Sequence, residues 1–169
     1  MRIWPIYTSD ELRAMYEGHH GNATARRYAR FWSLVFSLGL MPRRWVTLEV
    51  RGRVSGQLTR FPLGMATKGS HSYLVSMLGG DCNWVKNVRA ANGDVIIRHR
   101  RAKVCRLVEV QVEERAPLIK LYLQQVPGAR PHIPIDRNAD VAEFELIAAT
   151  TPVFLVMERD APNTIEIVK

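Results

Sequence analysis

Two stretches of this 169-residue chain carry residue types at spacings that chemistry uses. The first is Gly52-Arg53-Val54-Ser55-Gly56-Gln57-Leu58-Thr59-Arg60-Phe61-Pro62-Leu63. Glycines at both ends of the turn permit positive φ and close approach of backbone N–H groups to an anion, while Arg53, Ser55 and Arg60 can add charge-assisted hydrogen bonds. Such a loop suits a phosphate. The same spacing also describes an ordinary hairpin turn with solvated arginines.

The second stretch runs from Ser76 to Ala90. A strand that ends in Gly79-Gly80 and opens a helix presents N–H groups and the positive end of a dipole to an anion or to the polar edge of a flat ring. Asp81 can cap that helix and would repel phosphate, which favours the ring edge. Trp84, Val85 and Val88 read equally well as core. No phosphate loop, dinucleotide fingerprint, nucleophile elbow or Cys-x-x-Cys is present, so NTP use, Rossmann-type binding, acyl transfer and zinc chemistry lack support. His19-His20 is a surface pair rather than a metal site, and no metal is expected.

The elements that must position these stretches follow from periodicity. Thr8-Ser9-Asp10-Glu11 has capping-box spacing, and Tyr7 and Leu12 can staple it. A second helix runs from about Asn22 to Met41, and the apolar part is too short to span a bilayer. Short β-rich runs follow at Val46–Val50, Leu58–Ala66, Tyr73–Met77, Val95–Ile97 and Val104–Val112, joined by turns at 52–56, 68–71 and 98–101. One helix, Cys82 to Ala91, interrupts them. Pro117 suits a first helical turn, Leu118, Leu121, Tyr122 and Val126 share a helix face, and Val141, Phe144 and Ala148 repeat the pattern. Val153–Met157 reads as the closing strand. The expectation is one α+β domain over 1–169, built on a small barrel, with 1–41 an N-terminal helical segment.

Net charge is +8, and it is uneven: residues 1–110 carry +11 and residues 111–169 carry −3. The basic part wants an anionic partner, whether nucleic acid, membrane or phosphorylated ligand. Two cysteines are too few for a disulfide framework, and Asn22-Ala23-Thr24 is a sequon without any sign of export. A cytoplasmic protein is expected.

Four blocks in order, Gly-Arg-x-Ser-Gly with Arg60-x-Pro62-Leu63, then Gly79-Gly80, then Trp84-x-x-Asn87-x-Arg89-Ala90, then Thr151-Pro152-Val153-Phe154, resemble the deazaflavin-dependent nitroreductase family over about residues 30 to 158. The resemblance implies a split β-barrel, FMN-binding-like, of six to seven mainly antiparallel strands with N-terminal and peripheral helices. It implies coenzyme F-420, with FMN as the alternative cofactor, and hydride transfer to an electron-poor hydrophobic acceptor: a quinone, enone, nitro compound or lipid. The cofactor-binding residues it implies are Gly52, Arg53, Ser55, Gly56, Arg60 and Pro62 at the phosphate and acidic tail, Met77, Leu78, Gly79 and Gly80 at the ring, and Trp84 and Asn87 in the helix motif. Tyr73, Ser76 and His132 are candidate catalytic proton donors.

The chain departs from the family where many members carry lysine at the Val54 position and another basic residue at the Thr59 position. Its loop after Gly80 is shorter, and no tyrosines between Pro127 and Thr151 match those of the nitroreductase pocket. Two other functions stay open. The barrel can be a non-catalytic carrier of a cofactor, lipid or other hydrophobic ligand. Nucleic-acid binding through Arg98, Arg100, Arg101, Lys103 and Arg106 ranks last, since that hairpin has no interleaved aromatics for stacking. The helix around Trp32, with arginines ahead of an apolar run, suits either peripheral contact with an anionic membrane at the inner face of the cell or packing over the barrel. The oligomeric state is left as monomer or homodimer.

Overall fold

The structure, a computed structural model, describes residues 23–159. The expected helix at Thr8 to Leu12, the His19-His20 pair and Asn22 of the sequon lie outside the described residues. Helix α1 is Ala23–Ser37. Its apolar pattern extends to Met41, yet the helix stops earlier because Gly39 adopts φ +67°. The N–H groups of Gly39 and Leu40 turn back to the carbonyls of Phe36 and Val35 at 3.0 and 3.4 Å, the left-handed stop that glycine favours. A Cβ at Gly39 would also collide with Arg100 Cγ.

Strands β1 (Trp45–Arg51) and β2 (Leu58–Gly64) pair from Trp45 opposite Gly64 to Arg51 opposite Leu58. The run Leu58 to Ala66 reads as one strand but is two. The backbone leaves β2 at Met65, whose N–H donates to the Arg44 carbonyl at 2.7 Å, and β3 (Ala66–Lys68) begins at once. β4 (His71–Val75), α2 (Asn83–Ala90), β5 (Asp94–His99) and β6 (Arg101–Glu109) follow, then α3 (Val112–Gln125), a 3-10 turn at Pro127–Ala129, α4 (Val141–Ala148) and β7 (Val153–Glu158). The strand order is β2-β1-β5-β6-β7-β4-β3, so a single residue joins the two edge strands. That is possible only if the sheet curls until its edges meet. The fold is therefore the expected α+β split β-barrel: seven antiparallel strands in a curled half-barrel with four helices. Pro62 lies on edge strand β2, where a missing N–H is tolerated.

Several boundaries move from the sequence reading. β4 ends at Val75 and not Met77, because Ser76 opens a turn. β6 ends at Glu109, and Val112 is the first residue of α3. Pro117 is inside α3 rather than in its first turn, at the loss of one helical hydrogen bond.

Alternation along the strands assigns the faces. Val46, Leu48 and Val50 point into the barrel and pack with Leu74, Trp84, Val85, Val88 and Phe154. Thr47 and Glu49 point outward beneath α1, where Thr47 Oγ1 donates to the Ser33 carbonyl at 2.7 Å and Phe36 packs on Trp45 at 5.4 Å. Helices α3 and α4 cover the outside of the β3-β4-β7 side around Ile119, Tyr122 and Phe144. α2 plugs the barrel at its Val50 end, while among the described residues the Val46 end stays open.

Candidate active site

The hairpin loop between β1 and β2 meets the start of α2. Arg53 makes the junction. Its N–H donates to Asn87 Oδ1 at 3.2 Å, and its Nη1 donates to Asn87 Oδ1 at 3.0 Å and to Asn83 Oδ1 at 3.3 Å. Asn87 is buried, and its Nδ2 donates to Thr59 Oγ1 at 3.3 Å, which in turn donates to the Val50 carbonyl at 2.7 Å. Within the loop, Gly52 N–H reaches the Gln57 carbonyl and Gly56 N–H the Gly52 carbonyl, both at 2.8 Å, and Gln57 N–H donates to Ser55 Oγ at 3.3 Å. The amides of Gly52, Arg53, Gly56 and Gln57 thus shape the loop from within. Val54, 91% exposed, and Ser55 stand at the tip.

Arg60 does not join this group. Thr59 and Phe61 face α2 and the barrel, so Arg60 and Pro62 face the other side of β2. There Arg60 Nε donates to Glu49 Oε1 at 3.0 Å, and Arg98 grips the same carboxylate through Nε and Nη2 at 3.0 and 3.2 Å. Glu49 is 2% exposed. The two guanidiniums, Arg98 foremost, hold its carboxyl below the ordinary range against the opposing effect of burial. Grouping Arg53, Ser55 and Arg60 on one phosphate overlooks the strand's alternation. Glu49 belongs to no motif; its only signal is an acid in the middle of the apolar run Val46–Val50.

The turn after β4 is tightly tied. Gly79 has φ +82°, and its N–H donates to the Ser76 carbonyl at 3.1 Å. Ser76 is buried, with its Oγ donating to the Gly79 carbonyl at 2.6 Å and lying 3.1 Å from Cys82 Sγ. It clamps the turn, so its hydroxyl is not presented as a proton donor. Met77 packs toward the α3–α4 cluster and Leu78 toward the barrel core, while Gly79 adjoins the Thr150 carbonyl and Gly80 the Arg89 guanidinium and Pro152. Asp81 does not cap α2. The cap residue is Cys82, with no side-chain cap bond, and Asp81 pairs instead with Lys86 at 3.0 Å. Trp84 is core, packed on Phe154 at 5.4 Å. Arg89 fastens α2 to β6 through Glu109 at 2.8 and 3.0 Å, and buried Arg115 reaches the same carboxylate at 3.1 Å. Those contacts, Arg89 first, hold Glu109 below its usual pKa.

Tyr73 is half-buried on the outside of β4 among the α3–α4 cluster, and half-buried His132 adjoins Ile133 of that cluster. The basic hairpin is dispersed by alternation. Arg98 is held by Glu49, Arg106 lies 3.6 Å from Asp94, and Lys103 pairs with Glu158 at 2.6 Å, while Arg100 and Arg101 border the open end of the barrel.

The sequence model of the F420H(2)-dependent quinone reductase family matches residues 22–141. No curated protein sequence matches the chain. Among solved structures, a protein of unknown function from Agrobacterium tumefaciens is 13% identical with a TM-score of 0.53, covering 82% of this chain and 55% of that one; the likeness is one of fold. An F-420-H2-dependent reductase is 25% identical with a TM-score of 0.47, covering 68% of this chain and 94% of that one. A chain described as a domain-swapped dimer is 21% identical with a TM-score of 0.49, covering 88% and 98%. The family match takes in the hairpin, the glycine pair and α2 together, and by it the chain belongs to the F420H(2)-dependent quinone reductase family, as an oxidoreductase that uses coenzyme F-420.

Proposed function

We propose that the protein passes a hydride from reduced coenzyme F-420 to an electron-poor, hydrophobic acceptor such as a quinone, and that the hairpin–α2 end holds the coenzyme. The observation that supports this placement is Arg53, which ties the loop to the start of α2, the helix that opens just after Gly79-Gly80. The donor set suits an anionic coenzyme with a flat ring. Arg53 and Ser55 would hold phosphate and acidic tail, with Lys86 nearby on the same helix as Asn83 and Asn87. Met77, Leu78, Gly79 and Gly80 would border the ring. When bound, F-420 supplies the hydride. The chain's own part is to hold the ring edge-on to a rigid turn, exclude water and orient the acceptor. With Ser76 engaged by Gly79, Tyr73 and His132 remain as donors of any proton the reduced acceptor takes up.

The test is a fluorescence titration with F-420 and, in parallel, FMN, followed by addition of menadione to the reduced complex. Micromolar F-420 binding and oxidation on menadione addition are expected. Binding without oxidation favours the non-catalytic carrier. That second reading draws on Thr59, whose hydroxyl is spent on Val50 and Asn87 where family members carry a cation, and on Val54 at the loop tip. Binding of neither cofactor overturns both.

The same reading includes peripheral membrane contact. No described helix is long and apolar enough to cross a membrane. On α1 and the turn that ends it, however, Phe31, Leu34 and Leu38 are 58, 58 and 55% exposed, with exposed Arg27 and Arg30 on the same helix. That arrangement suits an anionic bilayer surface from which a lipid-soluble acceptor is drawn. Flotation with anionic liposomes checks it; protein left at the bottom of the gradient rules it out.

A further inference from the structure

The end of the barrel opposite α2 holds a cavity of about 1490 Å³, larger than the ~300–1,000 Å³ of common small-molecule sites. Its floor is apolar and belongs to the inside of the sheet: Val46, Met65, Ile97, Cys105 and Val156. Its rim is cationic, with Arg43, Arg44, Arg100, Arg101 and Lys103 against one acid, Glu158. Lys103 is neutralised by Glu158, and Arg44 Nη1 donates to the Gln125 carbonyl at 2.7 Å. Among the described residues no carboxylate pairs with Arg43, Arg100 or Arg101. Three guanidiniums without a described carboxylate partner around one opening raise a local field that stabilises an anion of more than one charge.

From these we infer a second ligand site, for an amphiphile with a phosphate head and an alkyl tail. Guanidinium forks match phosphate oxygens in pairs, which places the head at the rim, and the tail then covers the apolar floor. A plain polar anion would leave that floor wet, and a neutral lipid would leave the arginines unused. The site is separate from the hairpin–α2 end. Val46 and Val50 are four residues apart on β1, about 13 Å at strand rise, and the space between is filled by Leu48, Leu74 and Phe154. The exposed end of α1 reaches the same rim: Gly39, Met41 and Pro42 line the cavity, and neighbouring Leu40 is 71% exposed. An amphiphile can therefore move between a surface and the cavity along apolar contacts.

Calorimetry with the full chain and n-dodecyl phosphate below its critical micelle concentration tests the site, with inorganic phosphate and dodecyl maltoside as the head-only and neutral-head probes. Saturable binding of dodecyl phosphate is expected, at least tenfold tighter than either control. The double variant R43Q/R101Q, at two surface residues, should weaken it about tenfold or more and flatten its salt dependence. S72F, which fills the cavity from β4, should weaken dodecyl phosphate while sparing F-420. Equal affinity for inorganic phosphate, no effect of R43Q/R101Q, or displacement of dodecyl phosphate by F-420 would each overturn the inference. F-420 titration of the wild-type chain is a separate measurement, so failure here and failure of the coenzyme site are told apart.

Discussion

At the α2 end of the barrel Arg53 is tied to Asn83 and Asn87, Lys86 to Asp81 and Arg89 to Glu109; at the open end Arg43, Arg100 and Arg101 face a cavity without a described carboxylate partner. The first set is held in place before any ligand arrives, so little side-chain entropy is left to lose on binding. The second set gives charge without fixed geometry, so it selects the sign of a ligand more than its shape. The proposed hydride transfer needs the former, because the ring must be held within fractions of an ångström. Holding an amphiphile needs only the latter.

The strongest way to break this contrast is to remove the plug. Trp84→Ala empties a core site against Phe154 and should cost ~3–5 kcal/mol of stability, read as a lower urea midpoint. Next comes Asn87→Ala, which leaves the Arg53 amide and Thr59 without their partner. It should cost ~1–3 kcal/mol and weaken F-420 binding by about tenfold, since the loop loses its anchor. A stable variant with unchanged F-420 affinity would show that the hairpin does not depend on α2.

The two arginines of the β2 region sharpen the comparison further. Arg53→Gln should lower F-420 affinity about tenfold, the equivalent of one charge-assisted hydrogen bond at ~1.5 kcal/mol. Arg60→Gln should change affinity less than about twofold, because Arg60 is on the Glu49 side. If the two effects are reversed, the assignment of the coenzyme to the hairpin–α2 end is wrong.

The smallest effect is a pH dependence. Glu49 and Glu109 both have folded pKa values below the ordinary 4.5, each held down by two arginines. Below pH 4.5 the unfolded chain takes up protons that the folded carboxylates resist, so their stabilisation is complete above that value and is lost as pH falls through the folded pKa values. The thermal midpoint should drop as pH falls below 4.5, and Glu49→Gln should make that drop shallower. A midpoint equally acid-sensitive in Glu49→Gln would mean other carboxylates govern it.

Much of the site was legible in sequence because it is local. The hairpin glycines, the Gly79-Gly80 turn and the start of α2 within a residue are all set by a few neighbouring side chains. What escaped involved partners far along the chain: Glu49 with Arg98 and Arg53 with Asn87. Arg60 shows the difficulty best. It is seven residues from Arg53, inside the same motif, yet the alternation of β2 sends it to the opposite face. The division of Leu58–Ala66 was hidden too, since nothing in those residues announces that β3 will pair at the other edge of the sheet.

The sequence by itself determined the strands, the helix between them, the glycine turns and the family, because those depend on side-chain period, backbone freedom and the order of short motifs. Only the tertiary structure decided which cations are spent and which are available. Pairing of Arg53, Arg60, Arg89 and Arg98 depends on register and curl, which bring residues 11 to 49 positions apart to about 3 Å, and the same curl leaves one end of the barrel plugged and the other open among the described residues.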